Sequence, residues 1–140
     1  MGHHGAAMIT QAVSRRIAVA GLASAFTSLA FGQMENDSVT LEYARKELEA
    51  GKAMLIDVRE PQEHATGVAK GARLLPMRQL AARVSEIPND PKTPVLLICN
   101  TQNRSSATLK FLLGKGYTNV RYVQGGMSEW SRRGWPLIRP

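Results

Sequence analysis

Pro94-Val95-Leu96-Leu97-Ile98-Cys99 runs straight into Asn100-Thr101-Gln102-Asn103-Arg104-Ser105, and the change of character at Cys99 decides the fold. The first run is short and continuously apolar, which is the pattern of a strand covered on both faces. The second run has no apolar residue. It passes into Ser105 to Lys115, where Leu109, Leu112 and Leu113 recur at helical spacing until Gly116 stops the helix. A buried strand, a short polar loop and a helix make one half of a parallel α/β unit.

The same alternation extends in both directions. Upstream, Thr40 caps a helix whose apolar side is Leu41, Ala44 and Leu48, ended by Gly51. Ala53 to Val58 (AMLIDV) reads as a second buried strand, and Pro61 opens a short turn of helix. Arg73 to Leu75 is a brief strand closed by Pro76; Met77 to Ile87 carries Leu80, Val84 and Ile87 at helical spacing and stops at Pro88. Downstream, Val120 to Val123 is the last strand, followed by Gly125-Gly126 and a final helix to Arg133. There is no internal repeat. The expected fold class is α/β, with a central parallel sheet of about five short strands and helices on both faces.

Ligands in such folds bind just beyond the carboxyl ends of the strands, where Cys99 stands. A cysteine behind Val-Leu-Leu-Ile can be a packed core residue. The polar run after it argues for chemistry instead. A tight polar loop entering a helix turns successive backbone N–H groups inward, and the helix start adds partial positive charge, so Asn100, Thr101, Gln102, Asn103, Arg104 and Ser105 are candidates for an anion cradle. Thiolates are favoured in such settings, and the thiolate is the nucleophile. Arg104 is placed to face the same cradle and grip an oxyanion bidentately. Ser105 and Ser106 supply hydroxyls or helix caps. Asp57 and Arg59 are expected to tie the first long strand to neighbouring loops rather than react, Trp130 and Trp135 to pack in the core or a lid, and Glu63 and His64 to form a surface pair.

Three separated motifs resemble the rhodanese family of single-domain sulfurtransferases over about residues 38–138. Leu55-Ile56-Asp57-Val58-Arg59-Glu60, with Glu63, Gly67, Gly71-Ala72 and Pro76, is similar to its first motif. Cys99 to Ser105 is similar to its active-site loop, and Gly125-Gly126, Trp130, Gly134 and Pro136 to its closing motif. Two positions depart from the pattern. Gly67-Val68-Ala69 lacks the usual histidine, and Gln102 occupies a position where glycine is common. If the loop needs a positive φ there, Gln102 is strained by ~1 kcal/mol or more unless its amide compensates; tolerated strain is preferred over an amide donating to the bound anion, so a glycine variant is expected to keep turnover with stability raised or level.

The resemblance implies double displacement. Cys99 attacks the outer sulfur of thiosulfate or a similar donor, and the resulting persulfide passes its sulfur to cyanide, a thiol or a protein. The implied partners are a small anionic sulfur donor and one of those acceptors. No cofactor and no metal are implied. A rhodanese-fold phosphatase or arsenate reductase is the second reading, disfavoured because those relatives have five residues between cysteine and arginine and this chain has four. A non-catalytic sulfur-carrier or protein-binding module is the third.

Length and charge bound the rest. The chain's 140 residues suit one domain, and its single cysteine excludes an internal disulfide or a cysteine-rich zinc site. Residues 1–32 contain no acid; Arg15-Arg16 precede fifteen residues, Ile17 to Phe31, of mostly small and apolar type, too short for a stable membrane anchor. This reads as a signal peptide cleaved near Gln33, with residues 33–140 forming the domain and the periplasm as its location. The formal charge is +7, and setting aside Arg15 and Arg16 leaves 16 basic against 11 acidic residues, or +5. Those charges are scattered and the aromatic residues are few, so nucleic acid is not expected as a partner.

Overall fold

The computed structural model describes residues 37–140; the leader expected at residues 1–32 lies outside the described residues. Five strands, β1 (Ser38–Val39), β2 (Met54–Asp57), β3 (Arg73–Leu74), β4 (Val95–Ile98) and β5 (Val120–Val123), form one sheet in the order β1-β5-β4-β2-β3. Every pair is parallel. The helices are α1 (Leu41–Glu49), α2 (Pro61–His64), α3 (Leu80–Arg83), α4 (Asn103–Gly114) and α5 (Gly126–Arg132). Among the described residues, none is long and apolar enough to cross a membrane.

The two-residue alternation of β4 divides the core. Val95, Leu97 and Cys99 join Ile56, Leu109 and Leu112 on one face, while Leu96 and Ile98 join Leu55, Leu41, Ala44, Met127 and Trp130 on the other. Each fully buried Leu, Ile or Val contributes about 1.5–3 kcal/mol, so a central strand with no exposed side chain anchors both layers. Cys99 therefore points to the side covered by α4. That is the side from which Ser105 reaches it.

Three elements differ from the sequence reading. Met77 to Ile87 is not one helix: 3-10 turns at Met77–Gln79 and Val84–Glu86 flank the single α-turn of α3. β-Branched Val84, Ser85 and the approaching Pro88 favour that tighter, shorter geometry. α4 begins at Asn103, two residues earlier than expected, so Arg104 and Ser105 lie in its first turn. β1 was not expected; its two residues become a strand only by pairing with Tyr122 and Val123.

Candidate active site

β2 and β4 lie side by side with Asp57 opposite Ile98, so their carboxyl ends deliver Asp57-Val58-Arg59 and the Cys99 loop to one place. The loop starts by turning its carbonyls away from the sulfur. Cys99 O accepts from Met127 N at 2.8 Å, and Asn100 O accepts from Ser128 N at 2.9 Å. Peptide planarity then sends the N–H groups to the opposite side. None of the amides from Asn100 to Arg104 donates a backbone hydrogen bond among the described residues. Ser105 N–H does have a partner: it donates to Cys99 Sγ at 3.3 Å.

The sulfur sits at the floor of this loop, with Cys99 only 1% exposed. Its thiol donates to Ser105 Oγ at 3.4 Å, and that hydroxyl donates to Gln102 O at 3.2 Å. Loss of the thiol proton lets the Ser105 hydroxyl turn and donate to sulfur instead. Charge on Sγ would thus meet one N–H, one O–H and the positive end of a twelve-residue helix. Ser106 is placed differently: its hydroxyl donates to Asn103 O and is not directed at the sulfur.

Arg104, the candidate grip for an oxyanion, is paired with a carboxylate of the protein. Its Nη1 and Nη2 donate to Glu63 Oε1 and Oε2 at 2.6 and 2.8 Å, so the end of its fork is taken by a carboxylate forty-one residues away. Glu63 and His64 do not form the surface pair expected from their adjacency. Helical geometry points consecutive side chains in different directions. Glu63 turns to Arg104; His64 is buried, with Nε2 3.3 Å from Asp57 Oδ1 but not aligned for a hydrogen bond. Asp57 also receives Nε and Nη2 of Arg59, whose Nη2 reaches Gly67 O at 2.9 Å. Asp57 and Arg59 are both buried and tie β2 to the segment after α2. Trp130 is buried, stacks edge-on with Trp135 at 4.9 Å, and donates to Pro136 O.

The hydrogen bonds from Arg104 lower the Glu63 pKa to about 2. A carboxyl depressed in the folded state contributes stability that is complete above its unfolded pKa, about 4.3, and is lost as pH falls through the folded value. Glu63→Gln should therefore be less stable than the parent near pH 6, with the gap closing between about pH 4.5 and 2. Urea midpoints across that range check it; a constant gap would contradict the assignment. Both side chains are about one-third exposed, so the effect is modest.

Gln102 has φ −155°, and no residue other than glycine among the described ones has a positive φ. The left-handed strain considered for this position is absent. Its side chain accepts a long hydrogen bond, 3.4 Å, from Gly125 N. With no strain to release, Gln102→Gly should lower stability by about 0.5–1 kcal/mol through added freedom of the unfolded chain. The rate of any reaction at Cys99 should stay within about tenfold of the parent, since the backbone cradle remains. Chemical denaturation and steady-state kinetics measure the two effects; a rise in stability would contradict the geometry.

Among the described residues, no group of three or more His, Cys, Asp or Glu side chains is placed to hold a metal ion. The site is a buried cysteine at the carboxyl end of a central strand, facing the Ser105 N–H and hydroxyl at a helix start. That combination suits nucleophilic attack on an electrophile that leaves negative charge on or near sulfur.

The chain is similar to known proteins in sequence and in fold. A family model described as "Rhodanese-like domain" matches residues 40–133. A sulfurtransferase of Allochromatium vinosum is 37% identical over 87 residues, covering 62% of this chain and 79% of the relative. Among solved structures, a rhodanese-related protein of Thermoplasma volcanium superposes with a TM-score of 0.64 at 27% identity, covering 72% of this chain and 96% of that one. A thiosulfate sulfurtransferase of Pseudomonas aeruginosa superposes with a TM-score of 0.66 at 28% identity over 82% of this chain and 22% of that larger protein. With the family model spanning β4, the cysteine loop and α5, and a five-stranded parallel sheet beneath them, this chain belongs to the rhodanese-like domain family and has a sulfurtransferase-type function.

Proposed function

We propose that the chain transfers sulfane sulfur from thiosulfate or a similar donor to cyanide, a thiol or a protein, through a persulfide on Cys99. The observation that carries this reading is the Cys99 loop, whose carbonyls turn toward α5 while Ser105 N–H approaches Sγ. In the first step the Cys99 thiolate attacks the outer sulfur of thiosulfate. A new S–S bond forms, the old one breaks, and sulfite leaves with the electron pair. The amides of Asn100 to Ser105 hold the charge carried by donor and persulfide. In the second step the acceptor attacks the terminal sulfur, takes it, and returns the electron pair to Cys99. As the chain has no second cysteine, an external acceptor must clear the persulfide.

Intact-mass measurement tests this directly. Thiosulfate should add one sulfur atom, and cyanide or a thiol should remove it. Protein that never gains sulfur from thiosulfate or an organic persulfide would overturn the reading.

We also propose export to the periplasm, supported by the acid-free stretch through Gly32 and the short apolar run behind Arg15-Arg16. N-terminal sequencing of fractionated cells should find a start near Gln33. Soluble cytoplasmic protein with an intact leader would contradict it.

A further inference from the structure

The charges around the mouth cancel in pairs. Glu63 presents both carboxylate oxygens to Arg104, and Glu63 Oε1 also accepts from Glu60 N at 3.1 Å, closing the reciprocal cap at the start of α2. The carboxylate is thus held from two sides. Glu60 in turn receives Nε of Arg78 at 3.0 Å. Two cations and two anions therefore alternate across this edge, Arg78 with Glu60 and Glu63 with Arg104. A charge pair at hydrogen-bond distance acts on a more distant ion as a dipole, whose field falls off faster than that of a free cation. Arg104 directly precedes Ser105, whose N–H and hydroxyl oxygen lie 3.3 and 3.4 Å from Cys99 Sγ, so the neutralisation bears on the reacting atom.

We infer that Glu63 sets the charge preference of the site: by masking Arg104 it removes most of the attraction that would favour a dianionic donor over a singly charged or neutral one. This rests on the sulfur-transfer reading for its substrate, though the masking itself does not. Glu63 acts through Arg104 and is a positioning residue. The donor's sulfur is then presented chiefly to the loop amides, and a persulfide carried on an organic thiol competes with thiosulfate on more equal electrostatic terms than an unpaired Arg104 would allow. Unmasked, the same guanidinium would favour thiosulfate.

Alkylation of Cys99 reads the local field independently of sulfur chemistry. Iodoacetate is an anion and iodoacetamide is neutral, and both carry the same reacting carbon, so their rate ratio reports the potential at the sulfur. Glu63→Gln keeps an oxygen for the Glu60 N–H and removes one negative charge. It should raise the iodoacetate-to-iodoacetamide ratio by about threefold or more. Its thiosulfate KM should fall by a similar factor, with kcat within about twofold. Arg104→Gln, which leaves the Glu63 carboxylate unpaired, should lower the ratio. The double variant should return it to within about twofold of the parent, because the two changes cancel in charge.

An unchanged ratio in folded Glu63→Gln, or a double variant that keeps the raised ratio, would overturn the inference. Should Glu63→Gln fail to fold, an unchanged ratio in Arg104→Gln overturns it equally. If the parent protein takes no sulfur from any donor, the proposed function fails while the alkylation ratios still decide the role of Glu63. A merely structural clamp would shift the denaturation midpoint and leave the ratio unmoved.

Discussion

Cys99→Ser is expected to abolish sulfur uptake and turnover while the protein stays folded. Oxygen in place of Sγ would meet the same Ser105 N–H and hydroxyl, and the side chain stays small enough for its buried position. A serine hydroxyl is not ionised near neutral pH and cannot form a persulfide. The expected loss is at least a thousandfold in kcat/KM, about 4 kcal/mol of transition-state stabilisation. The cost in stability is about 1 kcal/mol, the ordinary size for a single substitution, because a polar atom replaces sulfur in the cluster of Ile56, Leu97 and Leu109 while keeping hydrogen-bond partners. Intact mass after thiosulfate and a thermal melt separate the two effects. Persulfide formation in the variant would remove Cys99 from the mechanism.

Gly126→Ala is expected to damage both the fold and the site. At φ +62° this glycine is in the left-handed region, and a Cβ built on it lies under 3.0 Å from the carbonyl oxygens of Cys99, Asn100 and Thr101. Those carbonyls converge on Gly126 because Met127 N and Ser128 N bind two of them, and these bonds fix the direction of the loop's peptide planes. Backbone atoms cannot swing aside as a flexible side chain could. Conformational strain and overpacking together should cost about 3 kcal/mol or more, and sulfur transfer should fall by about a hundredfold or more as the amides lose their common direction. Gly51→Ala is the matched control. Its φ is +68°, but nothing lies within 4 Å of the added carbon, so about 1 kcal/mol and no loss of turnover is expected. Urea denaturation and thiosulfate kinetics on both variants isolate the close approach. Equal behaviour of the two would show that Gly126 serves only as a helix start.

The elements legible in the sequence were those whose pattern is complete within a few residues. Val120–Val123 falls where predicted although it carries Arg121, and β4 and β2 lie within one residue of their predicted ends; β4 is the clearest case, because a strand buried on both faces is apolar throughout. The Cys99 loop was legible for the same reason: polarity after a buried strand, followed by helical spacing, is a local property. Val84 and Ile87 also kept helical spacing, yet propensity and Pro88 broke their helix, so spacing alone misled there. β1 had no readable pattern at all, since two residues carry no period and are made a strand by their partner.

Composition and periodicity were sufficient to determine an α/β chain with a parallel sheet, the approximate place of each long strand, and one cysteine at the mouth of that sheet. Tertiary structure decided which side chains meet there. Glu63 captures Arg104, His64 sinks beside Asp57 instead of pairing with its neighbour, and Gly126 receives the carbonyls of a loop far behind it in the chain. The physical reason is that burial is written residue by residue, whereas the partner of a charge or the neighbour of a glycine depends on which loops the parallel crossovers bring to the same end of the sheet.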